Sequence, residues 1–113
     1  MNLLTSRKSS LLMAVLCSLL PLAAARAADD ATVKLYGTKC ASCHGADGAG
    51  TTTVGKVLKL KDIRDPEVQK ISDADMTTLI AKGKDKMPAN EKALKPEQIK
   101  ALVAYVRELA QKK

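Results

Sequence analysis

The sequence contains no tryptophan and no phenylalanine, and its two tyrosines, Tyr36 and Tyr105, are its only large aromatic side chains. A single-stranded nucleic acid would find no stacking platform here, and the modest basic excess is no nucleic-acid footprint. There is one histidine, His44. That excludes two imidazoles on one metal within a single chain, and leaves no second imidazole for acid–base work beside a metal. Cysteines number three, Cys17, Cys40 and Cys43. The longest apolar run, Leu11 to Leu22, falls short of the ~20 residues that span a bilayer. No internal repeat and no sustained strand alternation is present, so a parallel sheet has nothing to be built from.

The first 27 residues have the pattern of an export leader. Arg7 and Lys8 precede the apolar run, Pro21 breaks it, and Ala25-Arg26-Ala27 forms a small-residue cleavage site. An uncleaved membrane anchor is the alternative. Cys17 lies in the apolar run behind Leu16, where a lipoprotein signal would have a small residue, so it carries no further meaning. The expected domains are residues 1–27, a signal peptide, and residues 28–113, one small domain. Losing Arg7, Lys8 and Arg26 leaves 16 basic against 12 acidic side chains. So small a domain, poor in large side chains, struggles to bury enough surface. A covalently held apolar group would supply the missing bulk, and without it the polypeptide is expected to be largely unfolded.

Cys40-Ala41-Ser42-Cys43-His44 spells C-x-x-C-H, the attachment signal for c-type haem. Residues three apart share a helical face, so both thiols can reach one edge of a porphyrin while His44 addresses the iron. A structural zinc site needs four nitrogen or sulfur ligands, and residues 28–113 offer only these three. A thioredoxin-like redox pair belongs beside a βαβ pattern, which is missing. A structural disulfide is the third alternative. The motif together with the leader favours haem attachment over all three.

The remaining pattern is helical. Ala31 to Lys39 reads as a helix with Asp29 and Asp30 frayed ahead of it; Tyr36, four residues before Cys40, faces either the attached group or the helical core. Gly45, Gly48 and Gly50 make a turn-rich loop. It lacks the G-x-x-x-x-G-K-[ST] spacing of a phosphate cradle. Thr51 to Lys61 reads as a loop with one helical turn, or a short strand. Asp65-Pro66 opens a short helix that would turn Val68 inward. Ser72 is an N-cap with Asp75 three residues on, Ile71 and Met76 form a hydrophobic staple, and Gly83 ends that helix. Pro96 opens the last helix behind a poor cap, Lys95; Ile99, Leu102, Val103, Val106 and Leu109 fall on one face.

Iron held by His44 needs a second ligand or an open position. Met76 has a local role in its staple. Met87 sits in the loop Gly83 to Asn90, and Pro88 restricts it to extended geometry. Met87 is therefore favoured over an open or lysine-ligated iron. A thioether opposite histidine raises the reduction potential.

These residues resemble the class I cytochromes c, notably the short bacterial ones. Leu35-Tyr36 through Cys40 to Gly50 is similar to that family's first helix and haem loop. Ser72-Asp73, Gly83-Lys84 and Met87-Pro88-Ala89 are similar to its middle helix and methionine loop, and Ile99 to Val106 to its C-terminal helix. Residues 51–70 match poorly. The resemblance implies an all-α cytochrome c fold, three to four helices around one covalently bound haem c. It also implies that the first and last helices cross, Thr32 and Tyr36 meeting Leu102 and Tyr105. Tryptophan, a propionate partner in the family, is absent; Lys56 and Arg64 are the substitutes on offer.

The function expected is a periplasmic electron carrier, not an enzyme, that passes single electrons between redox protein partners. Cys40 and Cys43 would attach the haem and His44 and Met87 would ligate its iron. Lys39, Lys82, Lys84, Lys86 and Lys92 would ring the exposed edge and meet acidic docking surfaces, or merely solvate the surface. The alternative is a haem c subunit of a membrane-associated oxidoreductase complex. An open-site haem sensor or peroxidase stands behind both, for want of a second histidine.

Overall fold

The computed structural model describes residues 27–113. Apart from Ala27, the expected leader lies outside the described residues, Cys17 included. Six helical segments follow: α1 (Asp30–Lys39), α2 (Ala41–His44), α3 (Thr53–Val57), α4 (Pro66–Gln69), α5 (Asp73–Lys82) and α6 (Pro96–Gln111). The described residues form no strand, and their one isolated bridge pairs Lys84 with Met87. The all-α expectation of three to four helices becomes three long helices and three single turns, because local caps wind short stretches that carry no periodic pattern.

Caps decide where the long helices start. Asp29 does not fray: its carboxylate accepts from the Thr32 amide at 2.8 Å and caps α1. At α5, Ser72 Oγ accepts from the Asp75 amide at 3.0 Å. Met76 of the staple is buried, and Gly83 terminates the helix at φ 71°. Lys95 cannot cap α6 with its own side chain. Gln98 compensates, its Oε1 accepting the Lys95 amide at 2.8 Å, which is the back-reaching half of a capping box.

Helix α6 packs against both α1 and α5. Its buried face carries Ile99, Leu102, Val103, Tyr105, Val106 and Leu109, the expected stripe plus Tyr105. Tyr36 of α1 meets Tyr105 edge to face, with ring centroids 5.1 Å apart, an arrangement that adds to the area buried. Thr32 is buried on the same side of α1. No helix among the described residues is long and apolar enough to cross a membrane.

One side chain fixes the wall between α4 and α5. Arg107 leaves α6 to donate to the carbonyls of Gln69 (3.1 Å) and Ile71 (2.5 Å), to Gln69 Oε1 (3.2 Å) and to Asp73 Oδ1 (2.8 Å). The planar guanidinium suits several acceptors at once. Arg107→Ala is expected to destabilise the protein by about 2–3 kcal/mol, read as a lower denaturant midpoint at unchanged slope. Arg107→Lys should recover only part, because an ammonium lacks the fork. A midpoint unmoved by Arg107→Ala would show the clamp to be ornamental.

Candidate functional site

Helix α1 runs almost without interruption into the cysteine pair. The Cys40 amide donates to the Tyr36 carbonyl at 2.8 Å, and the amides of Cys43 and His44 donate to the Cys40 carbonyl at 3.2 and 2.9 Å. Cys40 to His44 is thus one helical turn with both sulfurs on one face. Both thiols are free. Burial, and then the neighbouring Cys43, push the Cys40 thiol up from its ordinary pKa. Among the described residues no group of three or more His, Cys, Asp or Glu side chains is placed to hold a metal ion.

The loop after the turn folds back to brace it. Gly45 caps α2 at φ 82°, and the Gly50 amide donates to the His44 carbonyl at 2.8 Å. Thr52 Oγ1 donates to the Cys43 carbonyl at 2.9 Å and accepts from the Gly55 amide at 2.9 Å. The Tyr36 hydroxyl donates to the Gly45 carbonyl at 2.8 Å in a buried bond; burial first, and then Cys40, raise its pKa well above the phenol range. Thr52, Gly55 and the Tyr36 bond were not anticipated. Nothing in Thr51-Thr52-Thr53 marks which hydroxyl turns inward.

Two cavities flank this turn. The first, about 190 Å³, has a wholly apolar wall that includes Tyr36, Ile71, Met76, Ile80 and Leu102. The second, about 150 Å³, is lined by Cys43, Leu58, Leu60, Pro88, Lys39 and Lys86, among others. Cys40, His44 and Met87 line both, whereas Met76 lines only the first. The Nδ1 atom of His44 is buried without a hydrogen-bond partner, and burial lowers the imidazole's pKa. A neutral imidazole, a thioether and two free thiols beside one apolar and one mixed cavity form the donor set that a haem c demands. The residues present fit that group.

Met87 is delivered by a short, tied loop. Gly83 lies so close to the Met87 carbonyl and the Ala89 amide that a side chain there would collide with backbone. Lys84 and Met87 exchange both backbone bonds, at 3.0 and 2.9 Å. Asn90 Nδ2 donates to the carbonyls of Ile80 (3.1 Å) and Pro88 (3.2 Å), fastening the loop to the end of α5.

Other expected site residues are engaged elsewhere. Arg64 forks onto Asp62 at 2.9 and 2.7 Å. That bond holds the Asp62 carboxyl down at about 2. Lys56 is exposed on α3 and lines neither cavity. Of the five lysines expected at the edge, Lys39 and Lys86 line the second cavity, while Lys82 is paired with Glu91 at 2.6 Å.

Comparison with known proteins returns one consistent group. Residues 27–106 match the family described as cytochrome c oxidase, cbb3-type, subunit III. Cytochrome c6 of Nostoc sp. (strain PCC 7120 / SAG 25.82 / UTEX 2576) is 37% identical over 73 residues, 65% of this chain and 63% of that protein. The chain thus spans less than two thirds of that relative's length. Cytochrome c6 of Anabaena variabilis is 36% identical over 73 residues, covering 65% of this chain and 81% of that one. Among solved structures, the KustC0563 c-type cytochrome superposes with a TM-score of 0.64 at 38% identity, covering 69% of this chain and 95% of that one. A tyrosine-to-phenylalanine mutant of Kustc0563 gives 0.63 at 36%, over 69% and 96%.

Proposed function

This chain belongs to the c-type cytochrome family as a small class I member with covalently bound haem c, and from that premise we propose that it is a periplasmic electron carrier, not an enzyme, with His44 and Met87 as its axial ligands. Bound haem c supplies a one-electron ferric–ferrous couple. Cys40 and Cys43 each offer a thiol for a thioether link, and the single turn between them holds both sulfurs to one edge. His44 offers the neutral imidazole that a metal requires, in a backbone braced by Gly50 and Tyr36. Met87 offers a soft sulfur that favours the reduced state. The Lys84–Met87 backbone bonds and the Asn90 side chain would hold that sulfur in position.

The observation that carries this reading is that His44 and Met87, far apart in sequence, line the same two cavities together with Cys40. Electrons would enter and leave at the cavity bordered by Lys39 and Lys86, whose charges suit acidic redox partners. Met87→Ala is expected to lower the reduction potential by a sizeable part of the ~0.8 V range that axial ligands command. It is also expected to let the reduced protein bind carbon monoxide, which the parent should refuse. Potentiometric titration and carbon monoxide difference spectra check both. A parent protein that binds carbon monoxide rapidly would overturn the closed-site assignment and favour a sensor or peroxidase.

A second reading keeps the same chemistry in a fixed assembly: a haem c subunit of a membrane-associated oxidoreductase. The description of the matched family favours it. Fractionation of cells that export the protein separates the two, a carrier staying with the soluble periplasm and a subunit with the membranes.

A further inference from the structure

Ala28 is half-buried against the core, and its backbone nitrogen donates to Glu108 Oε2 at 2.7 Å, across 80 residues of sequence. The other oxygen, Oε1, accepts from Lys112 Nζ at 2.8 Å, and the Glu108 side chain is only 20% exposed. Lys112 first, and then the Ala28 nitrogen, hold the Glu108 carboxyl below its ordinary range. A carboxylate on α6 is therefore already aimed at one nitrogen of the segment before α1. That nitrogen follows Ala25-Arg26-Ala27, the small-residue cleavage pattern.

We infer that Glu108 is the docking site for a new N-terminus, formed when a signal peptidase cuts between Ala27 and Ala28. Water adds across that peptide bond, leaving a carboxylate on Ala27 and an α-amine on Ala28. In the intact chain the nitrogen is a neutral amide with one proton to donate. After the cut it is an ammonium with three, below its ordinary pKa of ~7.7–8.0. The group facing it does not have to move. A neutral–charged hydrogen bond becomes an ion pair, joining the start of α1 to the last turn of α6.

The carboxylates around it favour the cation and one lysine opposes it. Glu108 and Lys112 face it from α6, with Tyr105 close to Lys112. Asp29 and Asp30 lie on its own segment, and Asp29 is engaged at the Thr32 amide. The α-amine should thus titrate above its unfolded value. Its contribution to stability is complete below ~pH 7.7 and is lost as pH rises through the raised folded value.

The inference rests on the export part of the proposed function and is independent of how the iron is ligated. The intact mass and N-terminal sequence of the exported holoprotein are expected to place its first residue at Ala28; any other start overturns the inference. The second test is a double-mutant cycle in exported protein, combining Glu108→Gln with one Gly inserted between Ala27 and Ala28. The Lys112 pair is lost equally in both backgrounds and cancels. Glu108→Gln is expected to lower the melting temperature about 2–5 °C more in the Ala28-first protein than in the Gly-extended one at pH 6. That difference should fade above the raised α-amine pKa. Equal losses in the two backgrounds overturn the ion pair. Haem spectra unchanged across all four proteins would separate this result from any failure of the electron-carrier reading.

Discussion

A Cys40→Ala, Cys43→Ala double variant is expected to be exported without covalent haem and to lack a folded core. Its far-ultraviolet circular dichroism should fall well below that of the parent, and its melting curve should lose its cooperative step. The reason lies in how little the side chains bury alone. Ten apolar residues make up the core, and only Leu102 is fully enclosed. Against them stands the apolar cavity of about 190 Å³ between α1, α5 and α6. Without a bound group, that space leaves the apolar faces of α1, α5 and α6 short of contact partners. A sharp transition near the parent's melting temperature in the double variant would refute the dependence of the fold on its bound group.

Gly55→Ala should be nearly as damaging, although the change is one methyl group. Helix α3 sits on the haem-attachment turn so closely that a Cβ at Gly55 would collide with the Gly50 carbonyl and lie 2.6 Å from the Cys43 carbonyl. Both obstacles are backbone: Gly50 belongs to the loop that braces the attachment turn, and Cys43 to the turn itself. Neither can swing aside as a flexible side chain would. We expect a loss of about 3 kcal/mol, a fall in melting temperature of roughly 12–24 °C, and an altered haem spectrum as the attachment turn shifts. Gly37 supplies the control. It lies in α1 with nothing within 4 Å of where its Cβ would be, so Gly37→Ala should stabilise by about 0.5–1 kcal/mol through helix propensity alone. Equal effects of the two substitutions would remove the steric argument.

Much of this protein was legible in the chain because its strongest signals are local. Ser72, Asp75, Ile71 and Met76 lie within one turn of each other and announce α5. The buried stripe of α6 recurs at helical spacing over about three turns. The C-x-x-C-H run is contiguous, and Met87, singled out because few soft ligands remain, lines the same cavities as His44. What resisted reading depends on distant partners. Arg107 follows Val106 and precedes Glu108, where an arginine is ordinarily solvated; its acceptors lie more than thirty residues earlier. Asp29 is recognisable as a cap only once the start of α1 is known. In residues 51–61 the apolar residues divide against their pattern. Leu58 and Leu60 line the second cavity, whereas Val54 and Val57 are 43% and 74% exposed. The reason is that α3 turns Gly55, not a valine, toward the attachment loop.

The position of α6 in the chain has a consequence for the order of events during synthesis. Every element it packs on or ties down, including α1, α5 and the Gln69–Asp73 segment held by Arg107, is made before it. Contacts so remote in sequence must wait for their second half, and long-range closure is slow compared with helix formation. A nascent chain that has yet to gain α6 therefore has no partner for the apolar faces of α1 and α5. Until α6 is made those faces stay open, and so do Cys40 and Cys43, which are only half-buried even in the finished fold. Late arrival of the last-packing helix thus places collapse after the synthesis of every surface that it covers.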